Sequence, residues 1–539
     1  MREGMQGEGQ SRPLHVVILG GGTAGWMSAA GITRQLAVAD YSVTLIESDE
    51  IGTVGVGEAT LPHIKIFNDM LGIDESQFMR ATRATFKLGI QFCDWDLPGD
   101  RYIHPFGAFG EPWGGVEFQH HWARAQQAGS SCSALQDYSY AVVAALSNAF
   151  EFPNEDRNSI RSTYAYAYHF DAGLYANYLR TWAIERGVRR IEGQVCDVTR
   201  HATTGDIVEL RLKSGERVAG DLFVDCSGFR SVLLARTLGV AWQDWAHWLP
   251  CDRALAVPCK RIGALTPYTR ATARKAGWTW RIPLQHRTGN GYVFSSQFIK
   301  EDDARVSLLN ALEAPAEAEP RLLRFAPGRR ERAWSGNCVS VGLAAGFLEP
   351  LESTSIFLIQ AAVIDLVNLM PLPGSGRVDP RLTNEFNRLN AMQYERVRDF
   401  LVLHYIANRR VGEPLWDYLR SVPLPDTLEH KLQLFRSRAA LPNYQYGLFA
   451  RDSWLSVLVG QGIIPQGYDR LADRFTLPTV EARLSDFRNR IRTNVDSMSS
   501  HGDFIANYCQ SCGGGQSCEG GQSCGAGQSG GAGSGEAAA

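Results

Sequence analysis

The sequence predicts an α/β fold in which a βαβ unit and a mixed sheet are followed by a largely helical region. The first observation is the segment HVVILGGGTAGWMSAAGITRQL from His15, in which a β-branched run enters a glycine turn and an apolar-periodic helix, with a second strand at residues 41–48. A second αβ pattern covers residues 171–229. The third observation is the mostly helical pattern of residues 385–489, which prolines interrupt.

The bulk composition narrows the class of protein. At 539 residues the chain is long enough for a large core or fused modules, and 44% hydrophobic with 21% charged residues is typical of a globular protein. Lysine and arginine number 54 against 57 acidic residues, so the charge offers no footprint for nucleic acid or an anionic membrane, and we expect neither as a partner.

Location is predicted from the termini and the cysteines. Residues 1–13 are polar without an apolar leader, and the apolar stretch 355–370 contains Gln360 and Asp365, which predicts a buried helix and not a membrane span. Seven of the eleven cysteines are dispersed through the body, a pattern typical of buried thiols in a reducing compartment. We therefore expect a cytoplasmic protein.

The glycine turn predicts dinucleotide binding. Gly20, Gly22 and Gly25 follow a strand and open a helix, with Thr23 and Ala24 between them, so the turn can admit a pyrophosphate at the helix N-terminus. Glu47 closes the second strand, where an acid accepts hydrogen bonds from an adenosine ribose. This unit alone leaves FAD and NAD open, and a glycine turn without ligand is the alternative.

Two later segments favour FAD. VGVGEAT at residues 54–60 contains Ala59, and DLFVDCSGFRS at residues 221–231 resembles the flavin-side segment of two-domain FAD enzymes. We add Gly342, in the later strand-to-glycine-turn segment WSGNCVSVGLAAGF, to the predicted FAD site. A second glycine fingerprint for NAD(P)H is not visible, so we expect a separate NAD(P)H-dependent flavin reductase as partner.

Five motifs carry a more specific resemblance. They are GGGTAGW at residues 20–26, FKLGI at 86–90, WTWRIP at 278–283, GYVFSS at 291–296 and EPLESTSI at 349–356. With these motifs in this order, the chain from about His15 to about Asn489 resembles the flavin-dependent halogenases of the tryptophan-halogenase family. The resemblance implies an enzyme with the two-domain flavoprotein-monooxygenase-like fold and a helical substrate cap.

The resemblance also implies the chemistry. Reduced FAD, oxygen and chloride or bromide would give hypohalous acid, which travels to Lys87 in FKLGI, where the amine hydrogen-bonds it or becomes a haloamine. Glu352 in PLEST would take the proton from the halogenated ring and hold the lysine in its charged or hydrogen-bonding state. The structural alternatives are a surface lysine with its stem along apolar surface and an acid at a helix N-terminus.

Halide and flavin positions follow from the same motifs. Thr354 and Ser355 match the positions whose backbone amides hold the halide, although Ser355 replaces the usual glycine and a strained turn there would be disfavoured. Trp278 and Trp280 would flank the flavin and keep substrate away from it. Two tryptophans at a period of two also fit a strand face in the core.

The substrate side departs from the members that act on free tryptophan. His104, Phe106 and Trp454 match ring-contacting positions, where an aromatic substrate lies between planes, although each also fits an ordinary core. In an ungapped alignment, Phe449 stands where those members place the glutamate that grips the ammonium. An ammonium without that partner loses a few kcal/mol, so we expect a small indole-like or phenolic substrate without the zwitterion, or a larger indole compound, and not free tryptophan.

The rival functions are a hydroxylating FAD monooxygenase of the same fold and a flavin sensor without catalysis. We expect a disordered N-terminus at 1–13, an FAD module with the halide and catalytic site at 14–384, a helical cap at 385–508 and a disordered Gly/Ser/Cys tail at 509–539. Cys509 and Cys512 have zinc-ligand spacing, but we predict no metal site. We allow for a homodimer.

Overall fold

The computed structural model describes residues 12–510 apart from 38, 51–56, 131 and 445–446. The first part of the 54–60 motif, the expected tail from 511 onward and residues 1–11 therefore lie outside the described residues. Arg12 is held by Asp221 at 2.5 Å, so the expected disordered N-terminus does not extend to residue 13.

Twenty-two strands form in the described part of the chain, most of them short. They are β1 Leu14–Leu19, β2 Tyr41–Glu47, β3 Gly57–Ala59, β4 Thr85–Lys87, β5 Gly89–Cys93, β6 Arg101–Pro105, β7 Ala167–Asp171, β8 Arg189–Glu192, β9 Val195–Arg200, β10 Ile207–Leu212, β11 Arg217–Ala219, β12 Leu222–Asp225, β13 Trp242–Asp244, β14 Arg253–Lys260, β15 Tyr268–Arg274, β16 Gly277–Pro283, β17 Arg287–Phe294, β18 Arg321–Arg324, β19 Gly328–Arg330, β20 Trp334–Ser335, β21 Cys338–Ser340 and β22 Gly346–Phe347.

Fourteen α-helices complete the described part, and the later ones form the cap. They are α1 Thr23–Gln35, α2 His63–Leu71, α3 Glu75–Thr82, α4 Phe118–Gln127, α5 Tyr140–Leu146, α6 Ala172–Ile184, α7 Glu301–Asn310, α8 Ser355–Asn368, α9 Pro380–Ile406, α10 Pro414–Ser421, α11 Asp426–Arg438, α12 Arg451–Gly460, α13 Leu477–Val495 and α14 His501–Gln510. None of these helices combines the length and apolar character needed to cross a bilayer.

The predicted βαβ unit forms the centre of a six-stranded sheet. Its order is β20-β21-β12-β1-β2-β8, and β1 pairs in parallel with both β2 and β12. The β-branched run of β1 is buried on both faces, as a central parallel strand requires, and α1 packs against α6 and α8. The carboxyl ends of β1 and β2 therefore bring the glycine turn and Glu47 to one edge.

A second, mixed sheet and a small third sheet position the other motifs. The mixed sheet has the order β18-β14-β17-β16-β15-β5-β6, in which only β15 and β5 pair in parallel. The small sheet, β3-β7-β4, joins Ala59 on β3 to Lys87 on β4 through β7. The motifs at residues 54–60 and 86–90 are therefore joined by their shared pairing with β7.

Three boundary predictions need correction. Residues 102–115 are dense in Pro, Gly, Phe and Trp, which predicts an ordered loop, but residues 101–105 form β6. His104 and its neighbours pair with β5, and the Pro/Gly signals belong to the turn that follows. The cap begins at Pro380 and not at 385, and α4 and α5 also pack on its helix α13. Cys509 and Gln510, assigned to the tail, belong to α14, where Arg80 donates to the Cys509 carbonyl at 3.3 Å.

Candidate active site

Lys87 is fully buried at the end of β4 and is not the surface lysine of the alternative reading. Its Nζ donates to the Thr60 carbonyl at 2.9 Å and to Ser353 Oγ at 2.8 Å, and it lies 5.0 Å from the centre of the Phe106 ring. Burial lowers the pKa of Lys87 to about 7, although the charge of Glu352 acts in the opposite direction. An amine with this pKa exchanges a proton near neutral pH.

The lowered pKa predicts a pH-dependent stability. Below pH 7 the folded and unfolded chains both protonate Lys87, so the burial penalty is present in full. Between about 7 and 10.5 only the unfolded chain keeps the proton, so stability rises with pH. We expect Lys87→Met to raise the free energy of unfolding by roughly a few kcal/mol more at pH 6 than at pH 10, measured by urea denaturation. An equal difference at both pH values would contradict the buried charge.

Glu352 is held between two histidines. It ends a 3₁₀ turn, Pro350–Glu352, and is fully buried. His104 Nδ1 lies 2.8 Å from Oε2, and His404 Nε2 lies 2.8 Å from Oε1 without a well-aligned hydrogen bond. Burial acts to raise the pKa of Glu352, but the two histidines more than offset it and lower that pKa to about 2. The carboxylate therefore stays ionised and can accept a proton.

Lys87 and Glu352 are connected through Ser353. Within the described residues no lysine nitrogen lies within 4.0 Å of the Glu352 carboxylate, so the expected direct hold of Glu352 on the lysine is an interaction through space. Ser353 contacts Nζ instead, from a backbone with φ of 59°, a left-handed conformation that is uncommon outside glycine. Such strain is typical of functional turns.

The start of α8 offers an anion niche at the same turn. Thr354 precedes the helix and Ser355 is its first residue, and the first amides of a helix have no partner within it. Among the described residues, the buried Thr354 Oγ1 also has no hydrogen-bond partner, so an unpaired hydroxyl lies at this helix start. The left-handed residue is Ser353, so serine in place of glycine at 355 is not strained by a positive φ.

The glycine turn fits a pyrophosphate-binding group. Gly20 has φ of 116°, and a Cβ there would lie 2.3 Å from the Cys226 carbonyl oxygen; a Cβ on Gly25 would lie 1.8 Å from the Gly20 carbonyl oxygen. Gly22 precedes α1 as its N-cap, followed by Thr23. The close packing required by the dinucleotide turn is therefore present at the N-terminus of α1, a position that favours phosphate oxygens.

Two other parts of the expected FAD site lie beside this turn. Gly342 sits against Ala24, and Glu47 Oε2 lies against Gly21. Glu47 is also ion-paired with Arg190 at 2.5 Å, so arginine contacts accompany its expected ribose contact.

Trp278 and Trp280 share one face of β16, with ring centres 6.1 Å apart. Trp278 is buried and donates from Nε1 to Glu349 at 3.3 Å, whereas Trp280 is half-buried beside Ala59. Burial raises the pKa of Glu349 to about 7. The core-strand reading thus describes Trp278 well, while Trp280 reaches the strand expected to contact flavin.

Aromatic rings converge beside His104. Phe449 stacks on Phe400 at 3.9 Å, and both lie within about 6 Å of the His104 ring, at 6.0 and 5.5 Å. Trp454 meets Phe400 edge-on at 5.0 Å, and Phe106 lies 6.5 Å from His104. The three predicted ring-contacting residues, His104, Phe106 and Trp454, therefore lie close to Phe449, the fourth predicted substrate-side residue, with Phe400 among them.

No three His, Cys, Asp or Glu side chains among the described residues converge as a metal site would require. Of the tail cysteines, only Cys509 lies in that part of the chain.

Comparison with known proteins decides the family. The family model described as tryptophan halogenase matches residues 15–476. The chain is a member of the tryptophan halogenase family. It is therefore a flavin-dependent halogenase, an enzyme of a class that uses reduced FAD, oxygen and a halide. Such halogenases take reduced flavin from a separate flavin reductase and act on small aromatic substrates.

Individual relatives support the same family assignment. It is 35% identical to the tryptophan 6-halogenase SttH of Streptomyces toxytricini over 524 residues, covering 92% of this chain and 98% of SttH. The flavin-dependent halogenase BrvH from Brevundimonas sp. BAL3 superposes with a TM-score of 0.88 at 41% identity, covering 92% of this chain and 99% of BrvH. Xcc4156, a flavin-dependent halogenase from Xanthomonas campestris, gives 0.88 at 43%, covering 93% and 99%. The predicted fold and family are confirmed.

The halogenase site also contains residues that sequence reasoning missed. Ser353 lies inside the PLEST motif, in which only the neighbouring residues were assigned roles. Thr60 contacts Lys87 through its backbone carbonyl, which its residue type does not indicate. His404 and Phe400 lie on α9 outside any recognised motif. Their contacts with Glu352 and Phe449, which are distant in sequence, identify them as parts of the candidate site. Glu349 is in EPLEST but had no assigned role.

Proposed function

We propose that this halogenase replaces a ring hydrogen of an electron-rich, indole-like substrate with chlorine or bromine, using Lys87 and Glu352. The observation that carries the proposal is the turn that places Ser353 on Lys87, Glu352 between two histidines, and His104 against the aromatic rings. One turn thus joins a proton donor, a proton acceptor and a ring site.

The proposed step is electrophilic substitution. The Lys87 ammonium hydrogen-bonds the oxygen of hypohalous acid, the ring carbon takes the halogen as the oxygen–halogen bond breaks, and the lysine proton converts the leaving hydroxide to water. Glu352 then removes the ring proton, which restores aromaticity. The proton returns from Glu352 to Lys87, so the sum is ring–H plus HOX giving ring–X plus water.

The remaining assignments complete the proposed site. Reduced FAD supplies the oxidation of halide when it is bound, and its holding residues are Gly20, Gly22, Thr23, Ala24, Gly25, Glu47, Ala59, Trp278, Trp280 and Gly342. Thr354 and Ser355 hold the halide at the start of α8, supported by the unpaired Thr354 hydroxyl. Both predicted sites include a helix N-terminus, that of α1 for FAD and that of α8 for the halide, and such a position would favour an anion.

The substrate is proposed to lack an amino-acid ammonium. Phe449 stacks on Phe400 and offers no carboxylate. The charged group over the Trp454 ring is a cation, since Lys431 Nζ lies 4.2 Å from that ring centre and is almost fully buried. Burial, and after it the charge of Arg396, lowers the pKa of Lys431 to about 8, while Asp399 acts in the opposite direction, so Lys431 is still a cation at pH 7. A second buried cation beside these groups would be repelled.

We expect indole to be halogenated with a kcat/KM at least roughly tenfold above that of tryptophan, because Phe449 offers the tryptophan ammonium no carboxylate and the Lys431 cation repels it. Product masses with a flavin reductase, with and without bromide, measure this. They also test the chemistry, since a hydroxylase would add oxygen regardless of bromide and a sensor would add nothing. A clear preference for tryptophan would contradict the substrate proposal.

Lys431→Gln gives the matched variant. Glutamine keeps a donor for the Pro442 carbonyl, which Lys431 contacts at 3.0 Å, and removes the charge. The ratio of tryptophan to indole turnover should rise in this variant. An unchanged ratio would show that the cation does not select the substrate.

Location and assembly are further proposals. The eight cysteines of the described residues are free thiols, which supports a reducing, cytoplasmic compartment. Fractionation of cells expressing the natural protein would test this. The reductase is proposed to oxidise NAD(P)H, and the assembly is proposed to be a homodimer; light scattering would find about twice the chain mass of 59.5 kDa.

A further inference from the structure

The last helix of the described chain contacts the strand that carries Lys87. α14 lies beyond residue 476, where the family model ends, and its first residue, His501, is fully buried. The Phe86 amide, one residue before Lys87, donates to His501 Nε2 at 3.2 Å. This contact belongs to neither the FAD motifs nor the ring cluster.

The proton positions on His501 follow from its two partners. Its Nδ1 lies 2.9 Å from the Leu265 carbonyl oxygen, which can only accept, so Nδ1 carries the hydrogen. Nε2 must then be the acceptor for the Phe86 amide. Burial lowers the pKa of His501 to about 4, so the ring stays neutral and this arrangement persists through the neutral range.

β4 is an edge strand that needs such a partner. It is the last strand of the sheet β3-β7-β4, with Phe86 opposite Tyr168 of β7. An edge strand presents unpaired backbone groups on its outer side, and the imidazole satisfies one of them where a further strand would. His501 therefore fixes the outer side of β4 while β7 fixes the inner side.

Because side chains alternate along β4, the position of Phe86 determines the position of Lys87 on the opposite face of the strand. Phe86 points into an aromatic cluster with Phe150, Phe504 and Tyr508, and stacks on Phe150 at 4.1 Å. Successive side chains of a strand face opposite ways, so Lys87 projects to the side of Thr60 and Ser353. A shift of Phe86 toward α14 would move Nζ relative to those two acceptors.

We propose that His501 is a positioning residue for Lys87, and that α14 is a structural part of this active site. It holds the Phe86 amide and so fixes the ammonium against Ser353 and Thr60. The inference rests on the proposed role of Lys87. It adds a residue outside the family-matched region to the halogenation machinery.

Asparagine and glutamine at position 501 separate the two hydrogen bonds. His501→Gln places an amide oxygen at the distance of Nε2 and keeps an acceptor for Phe86. His501→Asn reaches only as far as Nδ1 and keeps the contact with Leu265. Misplacement by about 1 Å lowers rates by about 10²-fold, so we expect kcat of His501→Asn to fall about ten- to a hundredfold, with substantial rescue in His501→Gln.

The measurements are kcat and KM for indole, the pH profile of kcat, FAD binding and thermal unfolding. Positioning predicts a shifted pH profile in His501→Asn, because the surroundings of Lys87 change, with FAD binding retained. Tyr508→Phe is the control at the far end of α14, where the hydroxyl donates to Glu75 at 3.4 Å, and it should lower stability without shifting the profile.

Two outcomes would overturn the inference. Equal losses of kcat in His501→Asn and His501→Gln, with an unchanged pH profile, would show that α14 only packs, as would an undiminished His501→Asn. Lys87→Ala measured alongside separates the claims, since halogenation retained in that variant overturns the lysine's role itself. Loss there with an unaffected His501→Asn overturns the positioning alone.

Discussion

Lys87→Ala should abolish halogenation while FAD binding is retained. This variant removes the buried ammonium that donates to Thr60 and Ser353, which is the group proposed to orient hypohalous acid, and we expect kcat to fall by on the order of 10³-fold. Lys87 contacts Thr60, Ser353 and Phe106, so its truncation should leave the glycine turn at residues 20–25 intact. Product mass with bromide and flavin titration measure the two properties.

The matched control is Lys260→Ala, an exposed lysine at the end of β14. It should leave both rate and flavin affinity unchanged. Halogenation retained by the Lys87 variant would refute the assignment, and loss of FAD binding together with activity would indicate a collapsed site and not a missing donor.

Glu352→Gln should slow turnover by roughly 10²- to 10⁴-fold, the usual contribution of a positioned acid or base. Glutamine fills the same space between His104 and His404 but cannot take a proton from the ring. Because the pKa of Glu352 is about 2, the wild-type base is available throughout the neutral range. Single-turnover halogenation of indole measures the step.

Thermal unfolding of the Glu352 variant shows whether the fold survives. A cooperative transition near that of the wild type with a slow rate supports the base, whereas an undiminished rate removes it. Glu352→Asp, which keeps the charge but withdraws it by one methylene, should lie between the two.

The βαβ unit and the family motifs could be predicted from the sequence because each is defined by residues that lie close together along the chain. The βαβ unit is fixed by glycines at set spacing in a single segment. Lys87, Glu352, His104, Phe106 and Trp454 match positions of the family, and Phe449 was identified as a departure from it. The structure brings these residues close together, and their roles in one site stay a prediction. The geometry of the turn at residues 350–353 could not be predicted from the spacing of the motifs. In this turn Ser353, and not Glu352, contacts Lys87.

The residues that were missed act across long sequence separations. His404 reaches Glu352 from a cap helix, and His501 reaches Phe86 from a residue 415 positions later. A histidine on a helix carries no sign of such a contact in its own neighbourhood. The strand at residues 101–105 was missed for a related reason, since pairing with β5 overrides local turn signals.

The stacked pair of Phe400 and Phe449 has a consequence for admission to the ring site. Parting two rings that lie 3.9 Å apart forfeits their mutual contact, and a guest must restore it. A flat aromatic molecule such as indole can replace the lost stacking contact of either phenylalanine, whereas an aliphatic molecule cannot. We therefore expect this stacked pair to favour aromatic substrates over aliphatic ones of similar size.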